Sequence, residues 1–343
     1  KKERTSTTTT TATATSATAT ATDGTKAVLR VGLVGLGAIG EMVAHAICHG
    51  THGLRTDQIV LHAVLVRHVT PERIASLNHP VNRSNNSSDS AIIVTSNASE
   101  FFAADWDLMV EAAGQEAVRL YAAPCLKSGR SVLLTSIGAL TDDSLLSQLE
   151  ELALLSHNRA RLLLASGAMP GLDWMHSSSL SLLGDSSDAS STTITNTVTV
   201  TVTQSKPPSS WKGARVDPET GQPLADVIDL DMMMQTNHNG TAAVPVVLFE
   251  GSAREAARSY PKNANVCAML ALGTGVGLDA TQVQLVADPI HFGTTVMYEG
   301  AAGTIQIKVT GKQSATNPRT SAIVPLSVIK ALKNLSSHIG IGI

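Results

Sequence analysis

The stretch Ala27-Val28-Leu29-Arg30-Val31-Gly32-Leu33-Val34-Gly35-Leu36-Gly37-Ala38-Ile39-Gly40 decides how the rest of the chain is read. A short β-rich apolar run enters a G-x-G-x-x-G loop directly. Ile39, Val43, Ala46 and Ile47 then recur at the helical period, which predicts strand, tight turn and helix. In that setting Gly35 permits the turn, Gly37 lets the backbone approach a pyrophosphate, and Gly40 lets the helix close on the strand. The first amides of the helix, at Ala38 and Ile39, present partial positive charge to phosphate oxygens. The competing reading is a packing turn that holds no ligand.

Outward from this loop the rhythm is strand, helix, strand. Strands are expected at Ile59–Val66, Ala91–Val94, Leu108–Glu111, Ser131–Thr135 and Arg161–Ala165. Thr70-Pro71-Glu72 reads as an N-cap with proline in the first turn. Helices are expected from about Glu116 to Ser128, stopped by Gly129, and from Asp142 to Leu155 after Thr141. This alternation predicts an α/β fold with a Rossmann-type, doubly wound parallel sheet over residues 27–165. Beyond it the pattern changes. Thr192–Thr203 alternates, with Ile194, Val198, Val200 and Val202 on one face and threonines on the other, as in a half-buried antiparallel strand. Further strands are expected at Val244–Phe249, Gln282–Val286, Thr294–Tyr298 and Thr304–Val309, and a capping box at Ser252 and Glu255 opens a helix. Residues 166–316 therefore read as a smaller α+β substrate domain with a mixed or antiparallel sheet. Residues 317–343 read as a C-terminal segment whose helix, Arg319–Leu335, packs back on the first domain.

Composition bounds the partners. The 343 residues carry 25 Lys+Arg against 28 Asp+Glu and only ten aromatics, which argues against a nucleic-acid binder. No run of 18 apolar residues suits a membrane span. Twelve of the first 26 residues are threonine, with alanine and serine between them, so residues 1–26 read as a disordered leader. Its basic start and scarcity of acids suit a mitochondrial presequence, but it has no spaced arginines on an apolar face. The chain starts at Lys1 rather than methionine, so further residues upstream are an expectation. Asn78–Ser90 and Gly184–Ser191 read as exposed insertions. Cys48, Cys125 and Cys267 fit neither a disulfide framework nor a metal site, which favours a reducing, cytoplasmic compartment. His45 and His49 lie four apart on one helix and read as surface histidines rather than metal ligands. The threonine face of Thr192–Thr203 suits cover by a second copy in a homodimer, or solvent.

In an open α/β sheet, ligands sit at the carboxyl ends of the strands. There the acid that usually meets the ribose of NAD is absent, and Arg67 stands at the end of the second strand. An arginine at that place pairs with a 2′-phosphate or stacks on adenine, which tilts the choice between NAD and NADP toward NADP. Glu111-Ala112-Ala113-Gly114-Gln115 and Ser136-Ile137-Gly138-Ala139 each follow a parallel strand, with small residues that let a nicotinamide approach. Ser166-Gly167-Ala168 marks the crossing to the second domain.

Several longer segments resemble the L-aspartate dehydrogenases. Besides Val34–Gly40 these are Val110–Val118, Leu133–Leu140, Ser166-Gly167-Ala168-Met169-Pro170-Gly171-Leu172-Asp173 and Lys206-Pro207-Pro208. Phe249–Ala256, Tyr260-Pro261-Lys262-Asn263-Ala264-Asn265-Val266, Ala287-Asp288-Pro289 and Asn317-Pro318-Arg319-Thr320-Ser321 complete the set, in family order. The resemblance implies NAD(P)-dependent deamination of L-aspartate to iminosuccinate, and thence to oxaloacetate and ammonia, or the reverse. It also implies that Ala168 and Asn265 contact the cofactor near the nicotinamide. A dicarboxylic substrate needs cations, for which Lys206, Lys212 and Arg319 are candidates.

One departure stands out. The family's catalytic histidine follows Ala-Asp-Pro by six or seven residues, where this chain has Thr295 or Val296. The nearby histidine is His291, two residues after the proline, and it is the candidate base. The alternatives are a nucleotide-binding homologue without turnover, or a reductase for another imine or oxo acid.

Overall fold

The computed structural model describes residues 28–77, 91–156, 159–180, 198–231, 244–300, 302–314, 317 and 320–342. The leader, both insertions, the first part of Thr192–Thr203 and Arg319 lie outside the described residues.

The first sheet consists of β1 (Leu29–Val34), β2 (Ile59–Leu65), β3 (Ile93–Thr95), β4 (Leu108–Glu111), β5 (Ser131–Leu134) and β6 (Leu162–Leu164). All neighbours are parallel, in the order β3-β2-β1-β4-β5-β6. Helices cover both faces, which is why β4 is buried at every residue and Val31 and Leu33 are fully buried. Each such valine or leucine contributes roughly 1.5–3 kcal/mol relative to an exposed one. The covering elements are α1 (Ala38–His49), α2 (Pro71–Leu77), α3 (Ala98–Ala103), α4 (Gln115–Lys127), a 3-10 turn at Ile137–Thr141 and α5 (Asp143–Leu154). The short α3 carries no long apolar period and went unread in the sequence; its N-cap, Asn97, accepts the Ser99 N–H at 2.9 Å.

The second sheet runs β11-β10-β7-β9-β8 and comprises β7 (Thr199–Lys206), β8 (Val246–Ser252), β9 (Gln282–Ala287), β10 (Gly293–Gly300) and β11 (Gly303–Thr310). The alternating strand read as antiparallel is β7, and it lies in a mixed sheet: antiparallel to β10 but parallel to β9. On β7 the buried residues are Val200, Val202, Gln204 and Lys206, while Thr199 and Thr201 are exposed. The pleat therefore carries two polar side chains inward after the valines end. Helices α6 (Leu172–Ser179), α7 (Pro208–Trp211), α8 (Ala253–Ser259) and α9 (Asn265–Gly273) accompany this sheet. At the start of α8, Ser252 and Glu255 form the expected capping box.

The last helix, α10 (Ile323–Ser336), begins four residues later than Arg319. Pro325 explains the shift. A helix opened at Arg319 would place it in the interior, whereas a start at Ile323 leaves it in the first turn, where its missing N–H costs nothing. Val328, Ile329 and Leu332 of α10 join the cluster containing Val43, Ala46 and Ile47 of α1. Among the described residues no helix is long and apolar enough to cross a membrane, and no three His, Cys, Asp or Glu gather as a metal site. The three cysteines are unbridged. His45 and His49 stack on α1 with ring centroids 4.1 Å apart.

Candidate active site

One cavity of about 1780 Å³ lies between the carboxyl ends of β1, β2, β4 and β5 and the inward face of β7 and β10. That is larger than the roughly 300–1,000 Å³ typical of a single small-ligand site. At its first-sheet end Gly35 has φ +96°, and a Cβ there would stand 2.6 Å from the Ala112 carbonyl oxygen. A Cβ on Gly40 would meet the Gly35 carbonyl oxygen at 2.1 Å, so only glycine lets α1 approach this closely. Gly37 differs: no atom lies within 4 Å of its would-be Cβ, and the residue lines the cavity. A loop with open space at the middle glycine, in front of a helix N-terminus with no side-chain cap, fits a dinucleotide pyrophosphate.

A buried carboxylate holds the next two loops in place. Glu111, fully buried at the end of β4, accepts the N–H groups of Ala113 (2.8 Å), Gly114 (2.7 Å), Thr135 (3.2 Å) and Ser136 (3.0 Å), and the Ser136 hydroxyl (2.9 Å). Five donors on one carboxylate satisfy a group that would otherwise be costly to bury. They tie the loops after β4 and β5 into one wall of the cavity.

Hydrogen bonds across the two halves fix the opposite wall. Gly138 N–H donates to Asn265 Oδ1 at 2.9 Å, and Gln115 Nε2 donates to the Pro261 carbonyl at 3.1 Å. Arg254 and Arg258 both donate to the Thr141 carbonyl, at 2.6 and 2.8 Å, while Arg254 also pairs with Asp143 and Asp279. The Asp279 hydrogen bond is foremost in holding the Arg254 guanidinium above its ordinary pKa.

The structure brings most of the sequence candidates together. Gly35, Gly37, Ala38, Ile39, Arg67, Gly114, Ala168, Lys206 and Asn265 all line the cavity, while Gly40 packs behind Gly35. Arg67 is joined by His68 and Arg73, which the sequence reading did not select; the Arg73 guanidinium donates to the His68 carbonyl at 2.7 Å. Lys206 is 5% exposed. Its Nζ donates to the Asn263 carbonyl at 3.0 Å and sits 5.3 Å from the Trp211 ring centroid. Burial pushes its ammonium down to about 8, with Cys267 working in the opposite sense. Cys267 is itself pushed up to about 12 by burial. Two buried acceptors of cavity-lining residues near Lys206 in the sequence or bonded to it have no partner among the described residues: Gln204 Oε1 and Asn263 Oδ1.

Two candidates stand apart. Lys212 is bound by both carboxylate oxygens of Asp231, at 2.8 and 2.6 Å, and does not line the cavity. His291 is not among the lining residues either, although Phe292, Gly293 and Thr294 are. Its side chain is 63% exposed, and Nδ1 lies 3.0 Å from Asp288 Oδ2. Asp288 also accepts the Ile290 and His291 N–H groups at 2.9 and 3.0 Å, a local turn that keeps the ring on the outer side. Burial alone would raise the Asp288 carboxyl, but these hydrogen bonds and the His291 ring hold it below the usual carboxylate range. Of the positions matching the family histidine, Val296 is fully buried in the core and Thr295 does not line the cavity. Arg319 lies outside the described residues, between Asn317 and Thr320, which do line it.

Comparison with known proteins agrees with this architecture. Residues 35–163 match the family described as Homoserine dehydrogenase, NAD binding domain, and residues 188–335 the family described as Aspartate dehydrogenase, C-terminal. The solved structure of aspartate dehydrogenase from Thermotoga maritima shares the fold, with a TM-score of 0.56 at 21% identity over 91% of this chain and 99% of that one. L-aspartate dehydrogenase from Ralstonia pickettii is 33% identical, over 92% of this chain and 100% of its own length. The enzyme of the same name from Pseudomonas aeruginosa is 34% identical over the same shares. Identity at that level along nine-tenths of the sequence includes both walls of the cavity, and the chain belongs to the L-aspartate dehydrogenase family.

Proposed function

We propose that this protein is an NAD(P)-dependent L-aspartate dehydrogenase. It would oxidise L-aspartate to iminosuccinate, which water converts to oxaloacetate and ammonia, or run the reverse amination. The observation that carries this reading is the continuous cavity joining the glycine loop of the first sheet to the buried Lys206 of the second. A nicotinamide dinucleotide supplies the hydride acceptor when bound. Gly35, Gly37, Ala38 and Ile39 would hold its pyrophosphate, while Gly114, Ala168 and Asn265 border the reacting end. Gathering substrate and cofactor in one space replaces a bimolecular encounter with a positioned one. Lys206 would meet the substrate, and Arg319, with the cavity-lining Arg258 and Lys262, would supply cations for its two carboxylates.

The test is absorbance at 340 nm with L-aspartate and each of NAD and NADP, and with oxaloacetate, ammonia and each reduced cofactor. Turnover with one cofactor in either direction is expected. Cofactor binding without turnover in any combination would replace this reading by a second one, a nucleotide-binding protein without catalysis, which the outward place of His291 favours.

A further inference from the structure

Among the described residues that line the cavity, Lys206 is the single buried titratable side chain. The others, including Arg67, His68, Glu116, Arg258 and Lys262, are solvent-exposed or part-exposed. A lysine in this place is enforced by the sheet: it falls on the same pleat as Val200, Val202 and Gln204. Among the described residues its Nζ has one protein acceptor, the Asn263 carbonyl, and no carboxylate pairs with it. Among the described residues, the groups beside it on neighbouring elements include Cys267 on α9 and Trp211 on α7, both uncharged, while the amide of Gln204 lies two residues earlier on the same pleat. Asp288 meets the Lys206 backbone through its N–H, but its carboxylate is engaged by His291.

The amide of Asn263 is oriented by its surroundings. Nδ2 donates to the Ser210 carbonyl at 2.8 Å, so Oδ1 is the atom left without a donor. A buried acceptor with no donor leaves its desolvation uncompensated unless a ligand meets it. An α-ammonium or α-amino group brings the missing N–H bonds. The cavity lining thus brings together, among the described residues, a base without a counter-ion and acceptors without donors.

We propose that Lys206 is the proton-transfer residue of this chain, its amine exchanging a proton with the substrate nitrogen while Asn263 Oδ1 and Gln204 Oε1 accept that nitrogen's remaining N–H bonds. This deepens the proposed activity and rests on it. In the oxidative direction neutral Lys206 takes one proton from the aspartate ammonium. The freed amine lone pair forms the C=N bond as the Cα hydrogen leaves with its electron pair for the oxidised nicotinamide dinucleotide. The products are an iminium, reduced dinucleotide and Lys206 ammonium. Water then converts the iminium to oxaloacetate and ammonium ion, and Lys206 returns its proton to solvent. A neutral amine is available near neutral pH because burial lowers the Lys206 pKa to about 8.

The experiment compares wild type with Lys206→Arg, which keeps the cation but cannot act as a base. Expected is a loss in kcat of about 100-fold or more, with KM for aspartate and the affinity for reduced cofactor, read by fluorescence, within a few-fold of wild type. The wild-type limb in kcat/KM near pH 8 should vanish in the variant. A readout free of activity uses protein labelled with 13C at lysine Cε. One resonance should titrate near pH 8 and be missing from Lys206→Met. Wild-type turnover with kcat and pH limb preserved in Lys206→Arg overturns the inference alone. So does a spectrum in which every lysine titrates above pH 10. If wild type turns over no substrate pair, the proposed activity fails and the role falls with it.

Discussion

Lys206 illustrates how a single residue trades stability for chemistry. Its folded-state pKa of about 8 lies below the ordinary 10.5, because burial removes solvent from the ammonium. Below pH 8 both folded and unfolded chains carry the charge, and the fold bears the whole desolvation cost. Between about 8 and 10.5 the folded chain has lost the proton and the unfolded chain has not, so stability rises with pH; above that window the cost is gone. Lys206→Met should therefore be stabilised relative to wild type at pH 7. That advantage should shrink by about 3 kcal/mol as pH passes through the window, which paired urea titrations at pH 7 and pH 10.5 can measure. A constant difference between the two proteins would contradict the burial of the amine. The sequence showed that a lysine stood at this turn but not that it was buried, because apolar alternation stops at Val202 and two polar residues hide the continuing pleat. Asn263 was less legible still. Its unpaired Oδ1 depends on Ser210, which is 53 residues away in the chain. His291 shows the opposite case: nearness to Ala-Asp-Pro in the chain made it the candidate base, while Asp288, three residues before it, binds the exposed ring away from the cavity lining.

At the scale of elements, the first βαβ unit was readable because its constraints are local. Gly35 needs a positive φ and Gly40 needs the absence of a Cβ, and both requirements are written in residue type. Element ends were less readable where a distant partner or a proline sets them, as Pro325 does for α10. The end of β2 and the start of α2 also carry a specificity prediction. Arg67, His68 and Arg73 line the cavity there, and no acid stands at the end of β2 to accept a ribose hydroxyl. A guanidinium placed there recognises a 2′-phosphate. Arg67→Ala combined with Arg73→Ala should raise the KM for NADP at least tenfold and leave that for NAD within about twofold. Equal effects on both cofactors would remove the assignment to the 2′-phosphate.

At the scale of the molecule, two sheets of different construction share one cavity. Their relative placement is held by bonds that cross between them. Arg254, Arg258, Gln115 and Asn265 each reach across, and all four end on backbone groups whose position no local pattern reveals. The parallel, doubly wound sheet was evident from alternating elements. The mixed order of the second sheet was not, since pairing of β7 with β9 joins segments more than 75 residues apart. If the substrate Cα and the nicotinamide meet inside this cavity, hydrogen passes straight from one to the other, and an isotope label follows it. With L-aspartate deuterated at Cα as substrate, mass spectrometry of the reduced cofactor should find one deuterium per molecule formed. Reduced cofactor without deuterium, or none formed at all, would contradict the account.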